Sequence, residues 1–578
     1  MGRNALFSTV RSEVSMKRSR FDLSKRNMTT FSEGYLVPIY VNTDILPGDT
    51  FDVKTKLKLR SRTPLAPVMD NAKLSTFWFF TPYRNVWSGT KAFYGDSDPS
   101  AWINPTEKFF PALEIKDIGM ALATLSDAEG YSDKLLGSLW DHFGLPLISK
   151  TGNYADSKIP ISSLAFRAYK LIWNEWFRDE NLQDAQFVNT SDTATLADYY
   201  PVDENGDYIP MLRACRLHDY FSSCLPGPQK GNPVYIPLVG MAPVVTGPNN
   251  KAADGFDIDA PSLKMVSNDA SVNNSGDPYF LAYTGASGYL TGGGVKQQYP
   301  DGSVEFQPAN LWADLGSVDL VSVNALRLAV ASQRILERYA RAGSRFHEFL
   351  RSFFGCVSPD ATIQIPQYLG GQDALIVNNQ VIQTGAPQVG DPLGQTGAYS
   401  LTVDARKSFV KSFTEPGILM CLAVVRVQHT YEQRIDRQWT RQSIYDTYME
   451  PLSHLGEQQV KNYEIYFSEW DGTGKDPNQE GFGYKEAWTE YRYGINEVSG
   501  EMRPSAGNPG MRPWQYTDHY TSTPKLSPGW IAEPDTNVNQ TLAVDSSLAD
   551  QFFGDFFFDI KASRVVSLDS RPGLVDHY

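Results

Sequence analysis

Residues 51–62, FDVKTKLKLRSR, alternate apolar and polar side chains with a period of two. Phe51, Val53, Thr55, Leu57 and Leu59 fall on one side; Asp52, Lys54, Lys56, Lys58 and Arg60 fall on the other. A helix would scatter these residues around its axis. Only a strand separates them, so the segment has one buried face and one wet, basic face. Along that face successive cations stand about 6.5–7 Å apart. That is near the spacing of consecutive phosphates in a nucleic-acid strand, so the face could meet nucleic acid. A solvated face neutralised by carboxylates of a neighbouring strand is the reading the acidic body favours.

Other segments carry the same class. GYLVPIYV at 34–41 is apolar but broken by Pro38, which suits an edge or irregular strand. KLSTFWFFTPY at 73–83 is a strand dense in aromatics and ended by Pro82. Late strands are expected at 417–433, at NYEIYF (462–467) and at 556–568. Helical stripes occupy 161–182, with Ser162 or Ser163 able to cap the start, and 322–354, with a break near Gly343. Between them, 240–315 is rich in Gly, Asn, Asp and Ser and reads as a long surface insertion. Strands at both ends with helices and loops between them imply pairing across several hundred residues. A sandwich or jelly roll with large insertions meets that requirement.

The charge is uneven. Residues 1–26 hold Arg3, Arg11, Lys17, Arg18, Arg20, Lys25 and Arg26 against Glu13 and Asp22, while the whole chain is −14. A basic arm on an acidic body is a pattern of proteins whose one end meets nucleic acid. If all seven cations met phosphates, the single-strand salt slope would be about −5, which makes the arm a tether. It could instead brace a neighbouring subunit. The longest apolar run, GILMCLAVV at 417–425, is too short to span a bilayer, and no secretory leader is expected. The four cysteines, Cys215, Cys224, Cys356 and Cys421, form no C-x-x-C pair and are expected as buried thiols in a reducing cytoplasm.

No catalytic constellation emerges. Gly472-Thr473-Gly474-Lys475 lacks the remaining residues of a phosphate loop, since Glu469 and Asp476 stand at the required Gly and Ser/Thr positions. The seven histidines are scattered without metal-ligand spacing. Cys215, His218 and Asp219 are close in sequence, but a local turn hydrogen bond explains them. No catalytic, cofactor or metal residue is assigned.

A series of phrases then resembles one family. They include TTFSEGYLVPIYV and LPGDTF (29–51), TPLAPVMDN (63–71), FWFFTPYRNVW (77–87), FRAYKLIWNEWFRDENLQ (166–183) and HDYFSSCLPGPQKG (218–231). SVNALRLAVASQRILERYARAGSRF (322–346), FGCVSPDATIQIPQYLGG (354–371), SFTEPGILMCLAVVR (412–426), HLGEQQVKNYEIYF (454–467), GFGYKEAWTEYRYGINEVSGEMR (481–503) and PGLVDHY (572–578) follow in order. The chain resembles the major capsid protein of Microviridae, particularly the gokushovirus-like branch, with departures at Gln367 and Pro416. The resemblance implies a mainly β fold, an eight-stranded antiparallel jelly roll with long inter-strand insertions that contain helices and a protruding loop. It implies a basic arm at 1–28, one capsid domain over 29–578 and a protrusion at about 240–315.

The implied function is structural, not enzymatic: about sixty copies, meeting in pentamers and at threefold contacts, in a T=1 shell around circular single-stranded DNA. Implied partners are a small basic DNA-binding protein, a DNA pilot protein, an internal scaffolding protein and a host surface receptor. There is no membrane insertion, and assembly takes place in the host bacterial cytoplasm before the chain resides in the virion. The candidate DNA-facing residues are Lys54, Lys56, Lys58, Arg60, Arg3, Arg11, Lys17, Arg18 and Arg20. A glycan-binding jelly roll, lectin or spike, is the competing reading, with Tyr, Trp, Asn and Asp of 240–315 as its site. A cupin-type enzyme would need a clustered His/carboxylate site that the scattered histidines do not offer.

Overall fold

The computed structural model describes residues 18–96, 108–118, 135–147, 157–234, 323–359, 363–382, 396–470, 472–505 and 509–568, with six short strands between 244 and 313. Its contacts form two compact units: Met1–Lys230 with Glu337–Tyr578, and Gly231–Leu336.

The first unit is built on β1 (Ser19–Asp22), β2 (Lys25–Phe31), β3 (Val37–Ile45), β4 (Thr50–Ser61) and β5 (Ala72–Pro82) from one end of the chain. The other end supplies β6 (Gln367–Leu375), β7 (Thr402–Ser412), β8 (Gly417–Val427) and β9 (Phe552–Arg564). One sheet runs β1-β9-β4-β7, with β2 also on β9; the other runs β6-β5-β8-β3. All these pairs are antiparallel. β1 and β2 lie end to end along the long β9, against Lys561–Arg564 and Phe552–Phe558. From β2 to β5 and from β6 to β9 the chain changes sheet at every step, a wrapping consistent with a jelly roll. The mainly β, antiparallel class expected from sequence is therefore observed. So is pairing of distant ends: β4 and β9 match from Thr50↔Ser563 to Ser61↔Phe552.

Each strand's pattern follows from what covers its faces. The inward side chains of β4 (Phe51, Val53, Thr55, Leu57, Leu59) are buried, and the outward ones are exposed or half-exposed. Opposite them stand Phe556, Phe558 and Ile560 of β9 and Trp78 of β5. Trp78 packs on Phe558 and Phe409 at 5.5 and 5.4 Å between ring centres, and its Nε1–H donates to Thr55 Oγ1 at 3.2 Å. Burying such a ring contributes roughly 1.5–3 kcal/mol. β8 instead is apolar without alternation and buried almost throughout, because its sheet is covered on both sides. The far side is closed by α1 (Leu164–Trp176), whose end places Trp176 and Phe177 on Phe77 and Phe79. Pro38 sits in β3, an edge strand whose register shifts between Tyr40 and Pro38, a place that tolerates its missing N–H.

α1 differs from its expected stripe. Phe166, Arg167, Tyr169 and Lys170 are buried as well as Leu164, Ala168 and Ile172. Arg167 is admitted because it pairs with Asp198 at 2.9 Å and donates to the carbonyls of Val86, Ser191 and Thr193. Ser163 Oγ–H donates to Pro111 O, and the weak cap comes from Ser162, whose Oγ accepts from Leu164 N–H at 3.4 Å. The 322–354 stripe becomes α2 (Val323–Arg341) and α3 (Phe346–Phe354), broken at Gly343 with φ +87°. NYEIYF is not a strand. Strand Glu457–Lys461 precedes it, and Asn462–Ile465 is one helical turn. Glu464 accepts from Lys461 N–H and binds Arg437, and these contacts override the local β propensity. Three cysteines are buried as expected, but Cys356 is exposed.

Within the second unit, Leu290–Gly292, Tyr279–Tyr283, Lys264–Ser267 and Phe306–Pro308 form a four-stranded antiparallel sheet in that order. Val244–Thr246 pairs with Leu311–Ala313. Most of the expected 240–315 insertion lies outside the described residues. No helix among the described residues is long and apolar enough to cross a membrane.

Candidate nucleic-acid interface

The wet face of the first sheet gathers Lys54, Lys56, Lys58 and Arg60 on β4. Residues directly opposite in an antiparallel pair share a face, so register extends the surface. β9 adds Phe553 beside Arg60, Asp555 beside Lys58, Phe557 beside Lys56 and Asp559 beside Lys54. β7 adds Val403 beside Lys58 and Lys407 beside Lys54. β2 places Arg26 opposite Phe557 and Met28 opposite Asp555.

The carboxylates of this face are already engaged. Asp555 accepts from Arg26 Nε and Nη2 at 2.7 and 2.8 Å, and that guanidinium holds its carboxyl below the usual range. Lys561 and Ser24 hold Asp22 down to about 2. Asp52 pairs with Lys407 at 3.4 Å, and Asp559 with Lys561 at 3.8 Å. Among the described residues, none of Lys54, Lys56, Lys58 and Arg60 forms an ion pair with a carboxylate. The neighbouring-strand carboxylates that could have neutralised the stripe are spent on other cations. Lys56 Nζ instead lies 5.3 Å from the centre of the Phe557 ring.

The other expected cations divide. Arg20 pairs with Ser563 and points to this same face, at its far end. Arg18 is exposed and precedes β1, beside Gly48. Arg3, Arg11 and Lys17 lie outside the described residues. Residues 18–22 and 25–31 are thus sheet edge as well as arm. Arg26, counted by sequence only as part of the basic arm, lies on this face, and Lys407, Phe553 and Phe557 were missed by sequence. Their signal is weak: FFGDFFFDI at 552–560 has phenylalanines on both faces, which hides the period of two.

A second concentration of ionisable groups is sealed. His429 Nδ1 and Nε2 meet Asp518 Oδ2 at 2.9 Å and Glu533 Oε2 at 3.2 Å. Arg216 Nη1 donates to Asp518 at 3.1 Å, and Asn537 Nδ2 donates to its other oxygen at 2.7 Å. Glu533 also accepts from Val427 N–H at 3.0 Å. Burial disfavours the charged imidazole, but Asp518 and Glu533 outweigh it and push the ring up to about 10. Burial and the Glu533 carboxylate push Glu33 well up. With His429 only 1% exposed, the cluster is a buried clasp and not a reaction centre. Nor do Cys215, His218 and Asp219 converge. Burial pushes the Cys215 thiol up to about 11, away from the thiolate, and Asp219 caps Phe221 and Ser222 and accepts from Tyr431.

Residues 8–574 match the family described as capsid protein (F protein). The chain is 33% identical to capsid protein VP1 of Chlamydia phage 1, across 97% of this chain and 96% of that protein. It is 33% identical to VP1 of Bdellovibrio phage phiMH2K, across 94% and 93%. Against VP1 of Spiroplasma virus 4 the identity is 33%, across 96% and 95%.

Proposed function

The chain belongs to the phage capsid protein (F protein) family, and from that membership we propose that about sixty copies close into a T=1 icosahedral shell around a circular single-stranded DNA genome. It is a capsid protein of Microviridae-type phages, a structural component of the virion and not an enzyme. In the proposed reading, one capsid domain carries a surface protrusion at about 240–315 that contacts a host receptor. An internal scaffolding protein and a DNA pilot protein take part in assembly inside the host bacterial cytoplasm. A small basic DNA-binding protein does most of the condensing, because a shell at −14 per chain cannot neutralise the genome by itself.

The observation that carries the DNA-facing part is the unpaired basic stripe. Among the described residues, Lys54, Lys56, Lys58 and Arg60 form no ion pair, on a face whose carboxylates pair with other cations. The basic arm, with Arg3, Arg11, Lys17, Arg18 and Arg20, is proposed as a tether to the same genome or as a brace on a neighbouring copy. The test is co-expression with the scaffolding partner, followed by electron microscopy. Closed shells or pentamers are expected. A strictly monomeric product under all assembly conditions would overturn the reading.

A further inference from the structure

The face that carries the lysine stripe also carries two rings with no partner in the core. Phe553 and Phe557 are 42% and 38% exposed on β9, although β9 buries Phe552, Phe556 and Phe558 on its other side. Met28, 66% exposed, lies opposite Asp555 between them. Phosphate contact alone has no use for phenylalanine in water. Register sets each ring beside a cation: Phe553 beside Arg60 and Phe557 beside Lys56. Arg62 adds a second cation 5.1 Å from the Phe553 ring centre.

The geometry is that of a stacking platform with a charged rail. Four residues of extended strand separate the two rings by about 13 Å, and two residues separate successive stripe cations by about 6.7 Å. A ring therefore recurs for every second step of the cation row. Asp555 lies between the rings, where a bare carboxylate would repel a phosphate chain, but Arg26 holds it in a two-pronged pair. The row of cations on β4 is thereby left beside the rings of β9.

We propose that this face binds unpaired bases: those of single-stranded nucleic acid stack on Phe553 and Phe557 while Lys54, Lys56, Lys58 and Arg60 meet the phosphates. The proposal rests on the reading that this face meets the genome, and it adds that the face holds the bases as well as the phosphates. A duplex keeps its base faces stacked on one another, so the rings contribute only to binding of a single strand. The face thus distinguishes unpaired from paired DNA without reading sequence.

The test uses the full-length, unassembled chain with a fluorescent oligothymidine and with a duplex of equal length, titrated by anisotropy over a salt series. Phe553→Leu with Phe557→Leu keeps the apolar bulk and removes the aromatic faces. It should weaken oligothymidine binding about tenfold or more, leaving duplex binding and the salt slope unchanged. Phe553→Trp with Phe557→Trp should bind the single strand at least as tightly as the parent. Changing Lys54, Lys56 and Lys58 to Gln should weaken both DNAs and reduce the single-strand slope by about 2. If the leucine variant binds oligothymidine as the parent does while the glutamine variant is weakened, stacking is overturned and the phosphate reading stands. If neither variant changes binding, both readings fall. If the leucine variant binds normally but no longer assembles, the rings are a contact between copies and the proposal is overturned.

Discussion

His429 illustrates what single residues do in this protein. Its ring bridges Asp518, 89 positions away, and Glu533, 104 positions away, and so ties the chain after β8 to two late loops. Arg216 and Asn537 complete the hydrogen bonds of Asp518. Removing one partner from such a buried set leaves the others charged and dry, at a cost of about 3–5 kcal/mol. The charged imidazole is favoured in the folded state, with a folded value of about 10 against an ordinary 6.5. Its contribution is therefore complete below about pH 6.5 and is lost as pH rises toward 10. Glu33 acts with the same sign, because burial raises its carboxyl and stability falls as pH rises through the raised value. Asp518 acts on the acid side, where its lowered carboxyl loses its contribution as pH falls below the usual carboxylate range. The thermal midpoint of the chain should thus decline between pH 6.5 and 10, and His429→Gln should have a lower midpoint and a shallower alkaline decline. An unchanged decline in the variant would show that another group carries it. None of this clasp was legible in the sequence. Its members run from position 33 to 537, and a lone histidine carries no sign of which carboxylates will enclose it. The stripe was legible because its members lie on one strand.

At the level of elements, two bulges decide how the sheets meet. β6 shifts register between Tyr368 and Gly370, and β7 between Lys407 and Phe409. Gly370 has φ +144°, and a Cβ there would lie 2.6 Å from the Ser408 carbonyl oxygen. Ser408 in turn shares a 2.8 Å hydrogen bond with Thr55 in the core. Gly370→Ala should cost about 1–3 kcal/mol, through a strained backbone and a displaced β7. Gly397→Ala, where a Cβ meets only the Val381 oxygen at 3.8 Å, should change stability by less than about 0.5 kcal/mol. Urea denaturation of the two variants checks the contrast, and equal midpoints would mean that the bulge relaxes freely. The strands themselves were largely readable. The alternation of β4 and the solid apolar run of β8 each state how many faces are covered. NYEIYF was misread because the local cap of Glu464 on Lys461 N–H and the ion pair of Glu464 with Arg437, 27 positions earlier, chose a helical turn. Phe552–Asp555 was left out of β9 because phenylalanine on both faces carries no period.

The whole molecule separates its tasks by charge and by chain segment. The chain carries a net −14, yet the outer face of the first sheet is locally basic, which is where the proposed attraction to DNA would act. All nine strands of the two main sheets come from outside Gly231–Leu336. Gly231–Leu336 therefore contributes no strand to either sheet. Where the chain departs and re-enters, Lys230 Nζ donates to Ser344 Oγ, so the two ends of the first unit already lie side by side. Changing a loop's length costs little, about 0.6 kcal/mol per doubling. Replacing 245–310 with a short Gly/Ser linker should accordingly leave the thermal transition of the sheets within a few degrees of the parent. A segment that gives no strand to the main sheets is open to a role outside them, and host contact is the role proposed for it. Phage carrying the deletion should assemble normally or with mild impairment and should fail to adsorb to the host, measured as unbound infectious particles after mixing. Normal adsorption would remove the receptor role from this segment. Loss of particles with the sheets still folded would make it part of the contact between copies instead.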